Sequence, residues 1–202
     1  MLDVLYLLDI IGTFAFAAFG AHIALYRHFD VFGIFLCAFL TALGGGTLRE
    51  LILGNIPFYF TNMSYLGAII IGCAFSITIY HSFEMIKKYM LAIDAVGLAT
   101  FALIGATKAA EAQLGFFAII FLATSTAVGG GLIRDIVIRE IPQICYKDFY
   151  ASPAIFLGIV YSFLGEYAQM PFALWSLLIA TFLLRMVAIR YDFKLWVPVK
   201  AR

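Results

Sequence analysis

Two ten-residue stretches carry most of the chemistry open to this 202-residue chain. TALGGGTLRE runs from Thr41 to Glu50, and TAVGGGLIRD from Thr126 to Asp135. Each sets three glycines ahead of an arginine and an acid: Gly44, Gly45 and Gly46 before Arg49–Glu50, and Gly129, Gly130 and Gly131 before Arg134–Asp135. Asp9 and Asp94 stand upstream, Thr41, Ser125 and Thr126 offer hydroxyls just before the glycines, and Lys108 lies between the motifs. This set contains no nucleophile–base pair and no nucleotide-binding loop. His22, His28 and His81 lack metal-ligand spacing. Enzyme chemistry, a bound metal and a cofactor are therefore not expected. Carboxylates and exposed peptide carbonyls can, however, replace part of a cation's hydration shell. Glycine costs about 1 kcal/mol relative to alanine in a helix interior. Three in succession permit a kink or local unwinding. Carbonyls freed at such a break are tolerable only where they face water or an ion. The triples thus predict broken helices lining a conduction path, and close helix–helix packing is the alternative reading.

The charges sharpen this choice. Adjacent helical residues point about 100° apart, so neither arginine is expected simply to neutralise the acid beside it. A charge deep in a bilayer costs at least several kcal/mol and needs a partner or water. Asp9 and Asp94 are the candidate partners, either within each half of the chain or across the halves. Among Asp9, Arg49, Glu50, Asp94, Arg134 and Asp135, four acids face two arginines. A wet route with that balance attracts cations. The alternative places these groups at the membrane interface, where they only anchor helix ends. Thr41, Ser125 and Thr126 either face an ion or bond their own backbone. Lys108 either guards an entrance or snorkels to the interface.

The elements that must hold these residues are transmembrane helices. The chain is 64% hydrophobic and 12% charged, with a mean hydropathy of +1.03. A soluble domain carries about twice that charge. The apolar segments are continuous and near 20 residues, which suits helices rather than a barrel. Seven spans are expected: about 4–25, 31–53, 64–83, 89–110, 116–138, 150–168 and 172–190. The first carries Asp3 and no Lys or Arg at its start, and is read as a retained helix rather than a cleaved signal. Cys37, Cys73 and Cys145 lack paired spacing and are read as packing residues. A net charge of +1 gives no reason to expect a nucleic-acid partner. With the N-terminus outside and the C-terminus cytoplasmic, the inner side holds Arg27, Lys87, Lys88, Arg139, Lys147, Arg190, Lys194, Lys200 and Arg202. That is the orientation the positive-inside rule selects.

The motifs are doubled because the chain is. Asp9 and Asp94, Gly12 and Gly97, Phe16 and Phe101, Gly20 and Gly105, Arg49 and Arg134, Pro57 and Pro142, and Tyr65 and Tyr150 are all 85 residues apart. At that ungapped offset 18 of the 49 positions from Asp9 to Pro57 match. Composition alone does not align Gly, Asp, Arg and Pro at one spacing. The repeat unit is three helices, about 4–84 and about 89–169, with a seventh helix at about 172–190, all in one membrane domain. Three is odd, so the second copy enters the membrane from the opposite side. Inverted repeats of this kind place a working site near the midplane.

The doubled GGG-x-x-R-[DE] motif, the three-plus-three repeat and the terminal helix resemble the trimeric intracellular cation channel family, in its prokaryotic branch. The resemblance runs from about Leu5 to Arg190. It implies a homotrimer in the inner membrane, in contact with membrane lipids, with a pore in each subunit. It implies bends at Gly44–Gly46 and Gly129–Gly131 and passage of monovalent cations, K⁺ first and Na⁺ second. Animal members use a lysine in the second helix to help bind an inositol lipid, where this chain has Arg49. Related bacterial sequences carry a glycine-transporter label. Two functions therefore stand open: a passive cation channel, and a secondary carrier for glycine or another small zwitterion. A structural subunit without transport is disfavoured, because buried charge and broken helices cost stability and give a scaffold nothing.

Overall fold

The computed structural model describes residues 2–80, 83–146 and 149–193, with side chains described over 4–80, 89–145 and 149–193. Lys147, Lys194, Lys200 and Arg202, and the side chains of Lys87 and Lys88, lie outside that set, so part of the expected charge asymmetry does too. The described residues form helices and turns without a strand. In chain order the helices are α1 (Leu2–Tyr26), α2 (Val31–Leu53), α3 (Ser64–Ile79), α4 (Phe83–Glu111), α5 (Phe116–Val137), the single turn α6 (Gln143–Tyr146), α7 (Ser152–Leu164) and α8 (Pro171–Arg190).

Local signals explain most boundaries. Asp30 caps α2 by accepting from the Gly33 amide at 2.8 Å. Gly54, at φ 73, ends the same helix in the left-handed region. Pro171 opens α8, where its missing N–H has no intrahelical partner to lose. Helix ends also repeat at the 85-residue spacing: His28 and Gln113 have φ 57 and 56, and Gly54 and Arg139 have φ 73 and 59.

Among the described residues five helices are long and apolar enough to cross a bilayer: α1, α2, α4, α5 and α8. The other two expected spans are shorter. Helix α3 has 16 residues. The segment expected over 150–168 is a 13-residue α7, ended at Gly165 (φ 54) and continued only as a 3₁₀ turn to Gln169.

The core lies where α1, α2, α4 and α5 meet. Helices α1 and α4 touch through the buried rings of Phe16 and Phe101, 5.1 Å apart. Helix α3 packs on α1, α7 packs on α4 and α5, and α8 lies against α4 and α7. Helices α2 and α5 cross at the glycine triples, and here the structure shows no local unwinding. Both segments are uninterrupted helix through Gly44–Gly46 and Gly129–Gly131. All six glycines are buried. A Cβ on Gly45 would overlap the Thr126 carbonyl, and one on Gly130 would overlap that of Thr41. A Cβ on Gly44 would lie 3.0 Å from the Gly130 Cα. The missing side chains let two backbones touch, as small residues do between membrane helices. The helical hydrogen bonds stay intact, so no carbonyl has to find water.

Candidate functional site

The arginine–acid pairs sit on the last turns of α2 and α5, past the glycine crossing. Each arginine turns back onto its own neighbour, contrary to the expectation from helical geometry. Arg49 Nε and Nη2 both lie 2.8 Å from Glu50 Oε1. Arg134 Nε and Nη2 lie 2.9 and 2.7 Å from Asp135 Oδ1. The guanidinium stem is long enough to close the 100° gap, and the buried charges have a strong incentive to meet. The second oxygen of each acid accepts from the chain beyond: Glu50 Oε2 from Asn55 Nδ2 at 3.0 Å, Asp135 Oδ2 from the Gln143 amide at 2.9 Å. Both arginines are nearly sealed from solvent. Each covers a phenylalanine face, Arg49 over Phe58 and Arg134 over Phe19.

Among the described residues no ion pair joins Asp9 to an arginine. Asp9 and Asp94 each accept a hydrogen bond from a tyrosine 56 residues on: Tyr65 to Asp9 Oδ2 and Tyr150 to Asp94 Oδ1, both at 3.0 Å. Thr41 Oγ1 donates to the Cys37 carbonyl at 2.6 Å and accepts from Arg134 Nη1 at 3.3 Å. That bond joins the two halves of the chain. Ser125 and Thr126 hydroxyls, Asp9 Oδ1 and Arg49 Nη1 are buried without a protein hydrogen bond.

Two cavities flank the glycine crossing. The first, about 280 Å³, brings together Asp9, Arg49, Glu50 and Lys108, with Tyr6, Tyr65 and Thr107 on its wall. Lys108 is paired with Glu111 at 2.8 Å. The second, about 50 Å³, holds Asp135 with Ile23, Arg27, Glu140 and Gln143. One lies at the start of α1 and the other at its end, roughly 25 Å apart along the helix. The six glycines line neither cavity; Gly44, Gly45, Gly129 and Gly130 form the close α2–α5 crossing between them. Thr41, Ser125, Thr126 and Asp94 are likewise outside both.

Comparison with known proteins follows this geometry closely. A family model described as glycine transporter matches the chain twice, at residues 6–81 and 91–166. The inner membrane protein YadS of Escherichia coli K12, a UPF0126 protein, is 36% identical over 194 residues, 94% of each chain. A UPF0126 membrane protein of Vibrio cholerae is 36% identical over 196 residues, covering 96% of this chain and 82% of its own. Among solved structures, a prokaryotic TRIC channel crystallised in 0.5 M KCl superposes with a TM-score of 0.88 at 32% identity, over 96% of this chain and 100% of that one. The TRIC trimeric intracellular cation channel orthologue of Rhodobacter sphaeroides gives 0.85 at 30% identity, over 94% and 99%. The chain belongs to the TRIC family. It is a multi-pass membrane protein with the all-helical TRIC fold.

Sequence reasoning missed several residues at the TRIC cavities. Tyr65 and Tyr150 share the 85-residue offset of the aspartates they serve, and an acid paired with a hydroxyl donor at one spacing was a readable signal. Phe58 left no such signal. Arg185 was located in the last helix without a direction. It turns into the bundle, 4.7 Å from the Tyr150 ring centre, and donates to the Phe149 carbonyl at 3.3 Å. Arg27 and Glu140 pair at 2.7 Å, although 113 residues separate them and no local pattern links them.

Proposed function

We propose that this TRIC-family chain is a passive channel for monovalent cations, K⁺ before Na⁺, with a pathway in each subunit of a homotrimer. The pathway runs from the Asp9 cavity to the Asp135 cavity between two inverted three-helix repeats, with the seventh helix, α8, outside the repeat. The N-terminus faces outward and the C-terminus the cytoplasm of an inner membrane.

One observation carries this reading: buried carboxylates line a cavity at each end of the bundle, and the packing between the ends includes the α2–α5 crossing and the Phe16–Phe101 contact. Arg49 and Arg134 neutralise Glu50 and Asp135, which leaves Asp9 as a further buried carboxylate at the wider cavity. In this reading water in the wider cavity serves both the Asp9 Oδ1 acceptor and the Arg49 Nη1 donor, and a cation can approach only the former. A carboxylate so placed favours cations over anions in a low-dielectric passage. The full-length likeness to TRIC channels supports the same assignment.

In this reading the glycines do not coordinate ions. They make the crossing thin enough for a small shift of α2 against α5 to join the cavities. Proteoliposomes loaded with K⁺ test it. Efflux that needs no second solute, and that continues while external glycine is varied, supports the channel. Saturable glycine uptake without K⁺ efflux replaces it with the carrier.

A further inference from the structure

The two cavities are unequal, and a single ion pair marks the difference. At the narrow end Arg27, just past α1, meets Glu140, just past α5, at 2.7 Å. Both side chains are partly exposed, at 46% and 39%. Together they line the 50 Å³ cavity that holds the buried carboxylate of Asp135. At the wide end the positions 85 residues away are Ala112 and Asn55, which cannot form an ion pair. There the cavity is about 280 Å³. At about 30 Å³ of liquid per water, the wide cavity has room for several waters and the narrow one for roughly one or two.

From this asymmetry we propose that the Arg27–Glu140 ion pair is a latch that holds the Asp135 end of the pathway shut, and that opening this end separates the pair. The inference rests on the pathway reading above. The two side chains belong to connectors rather than to helix interiors. Arg27 precedes the left-handed residue His28, and Glu140 follows the left-handed residue Arg139. They can part without breaking a helical turn. A partly exposed pair is also weak. It biases a two-state equilibrium by only about two- to fivefold, which suits a contact that must open and close thermally. At the wide mouth no ion pair among the described residues joins different helices: Lys108 pairs with Glu111 on its own helix, and the contacts that reach across, Asn62 to Tyr6 and Tyr65 to Asp9, are hydrogen bonds.

The test uses the full chain with Cys37, Cys73 and Cys145 replaced by alanine and one reporter, Ile23→Cys, on the narrow cavity wall. Labelling by a charged methanethiosulfonate reagent is timed for this protein and for versions that add Arg27→Gln, Glu140→Gln, or the swap Arg27→Glu with Glu140→Arg. Open probability of the same proteins is measured in bilayers. The latch requires labelling to quicken about two- to fivefold in either single variant, with the swap returning toward the parent. Open probability should rise by the same factor. Parent-like labelling in folded single variants overturns the latch, whether or not the parent conducts. Faster labelling in a protein that passes no cations keeps the latch and removes the channel reading instead. Should either single variant fail to fold, the other and the swap decide the matter.

Discussion

Alanine at neighbouring glycines should act in opposite directions, because only some of them touch the other helix. A Cβ on Gly130 would overlap the Thr41 carbonyl and come within 3.0 Å of the Leu40 carbonyl oxygen. These are backbone atoms, so α2 and α5 must separate. Overpacking of this kind costs about 1–3 kcal/mol, against a helix-propensity gain of about 1 kcal/mol from replacing glycine. Gly130→Ala is therefore destabilising by up to roughly 2 kcal/mol. At Gly131 the nearest atom to a new Cβ is Arg134 Nη2 at 3.6 Å, an ordinary contact. Gly131→Ala keeps the propensity gain and loses nothing, so it should be neutral or stabilising by up to about 1 kcal/mol. Thermal unfolding of the purified protein in detergent measures both. A chain of this size moves about 2–4 °C per kcal/mol, so the two variants should straddle the parent. If both alanines raise the midpoint, the triples are held as loose or unwound helix and the packing argument is wrong. Gly45→Ala meets the Thr126 carbonyl at the same crossing and should behave like Gly130→Ala. The double variant should cost less than the sum, since the helices part only once.

Other consequences concern the charges. Tyr65→Phe removes the donor to Asp9 Oδ2 and Tyr150→Phe the donor to Asp94 Oδ1; each should lower thermal stability by about 1–3 kcal/mol. Arg49→Gln leaves Glu50 buried without its cation and should cost about 3–5 kcal/mol, while Arg49→Gln with Glu50→Gln should recover much of the loss in the same assay. Lys108→Gln frees Glu111 at the wide mouth. It should raise unitary cation current at about 0.01 M salt and have little effect at about 1 M, where the screening length is near 3 Å.

How far the sequence could be read depended on the range of the interactions involved. Hydropathy and segment length report on each helix alone, so the membrane class and the positions of α1, α2, α4, α5 and α8 were legible. The 85-residue offset tied Asp9 to Asp94 and Arg49 to Arg134 before any contact was known. The family followed from the same motif. Two inferences, local unwinding at the glycines and arginines turned away from the adjacent acids, failed because they treated local rules as decisive. Three glycines do weaken a helix, but here the loss is offset by backbone contact with Thr126 and Thr41 on the facing helix, which no single segment reveals. The 100° rule describes Cα–Cβ directions, and Arg49 and Arg134 have enough rotatable bonds to defeat it. Helix α7 fell short of its expected span because Gly165, at φ 54, ends it ahead of the partly polar turn to Gln169. The Arg27–Glu140 pair was beyond sequence altogether, since it depends on how the ends of α1 and α5 converge.

The reversal potential in a planar bilayer under a tenfold KCl gradient tests the cation pathway most directly. The buried Asp9 carboxylate at the wider cavity requires unitary currents that reverse close to the K⁺ equilibrium potential, with no second solute present. Reversal near the Cl⁻ potential, or a silent bilayer beside robust glycine flux in liposomes from the same preparation, would contradict it.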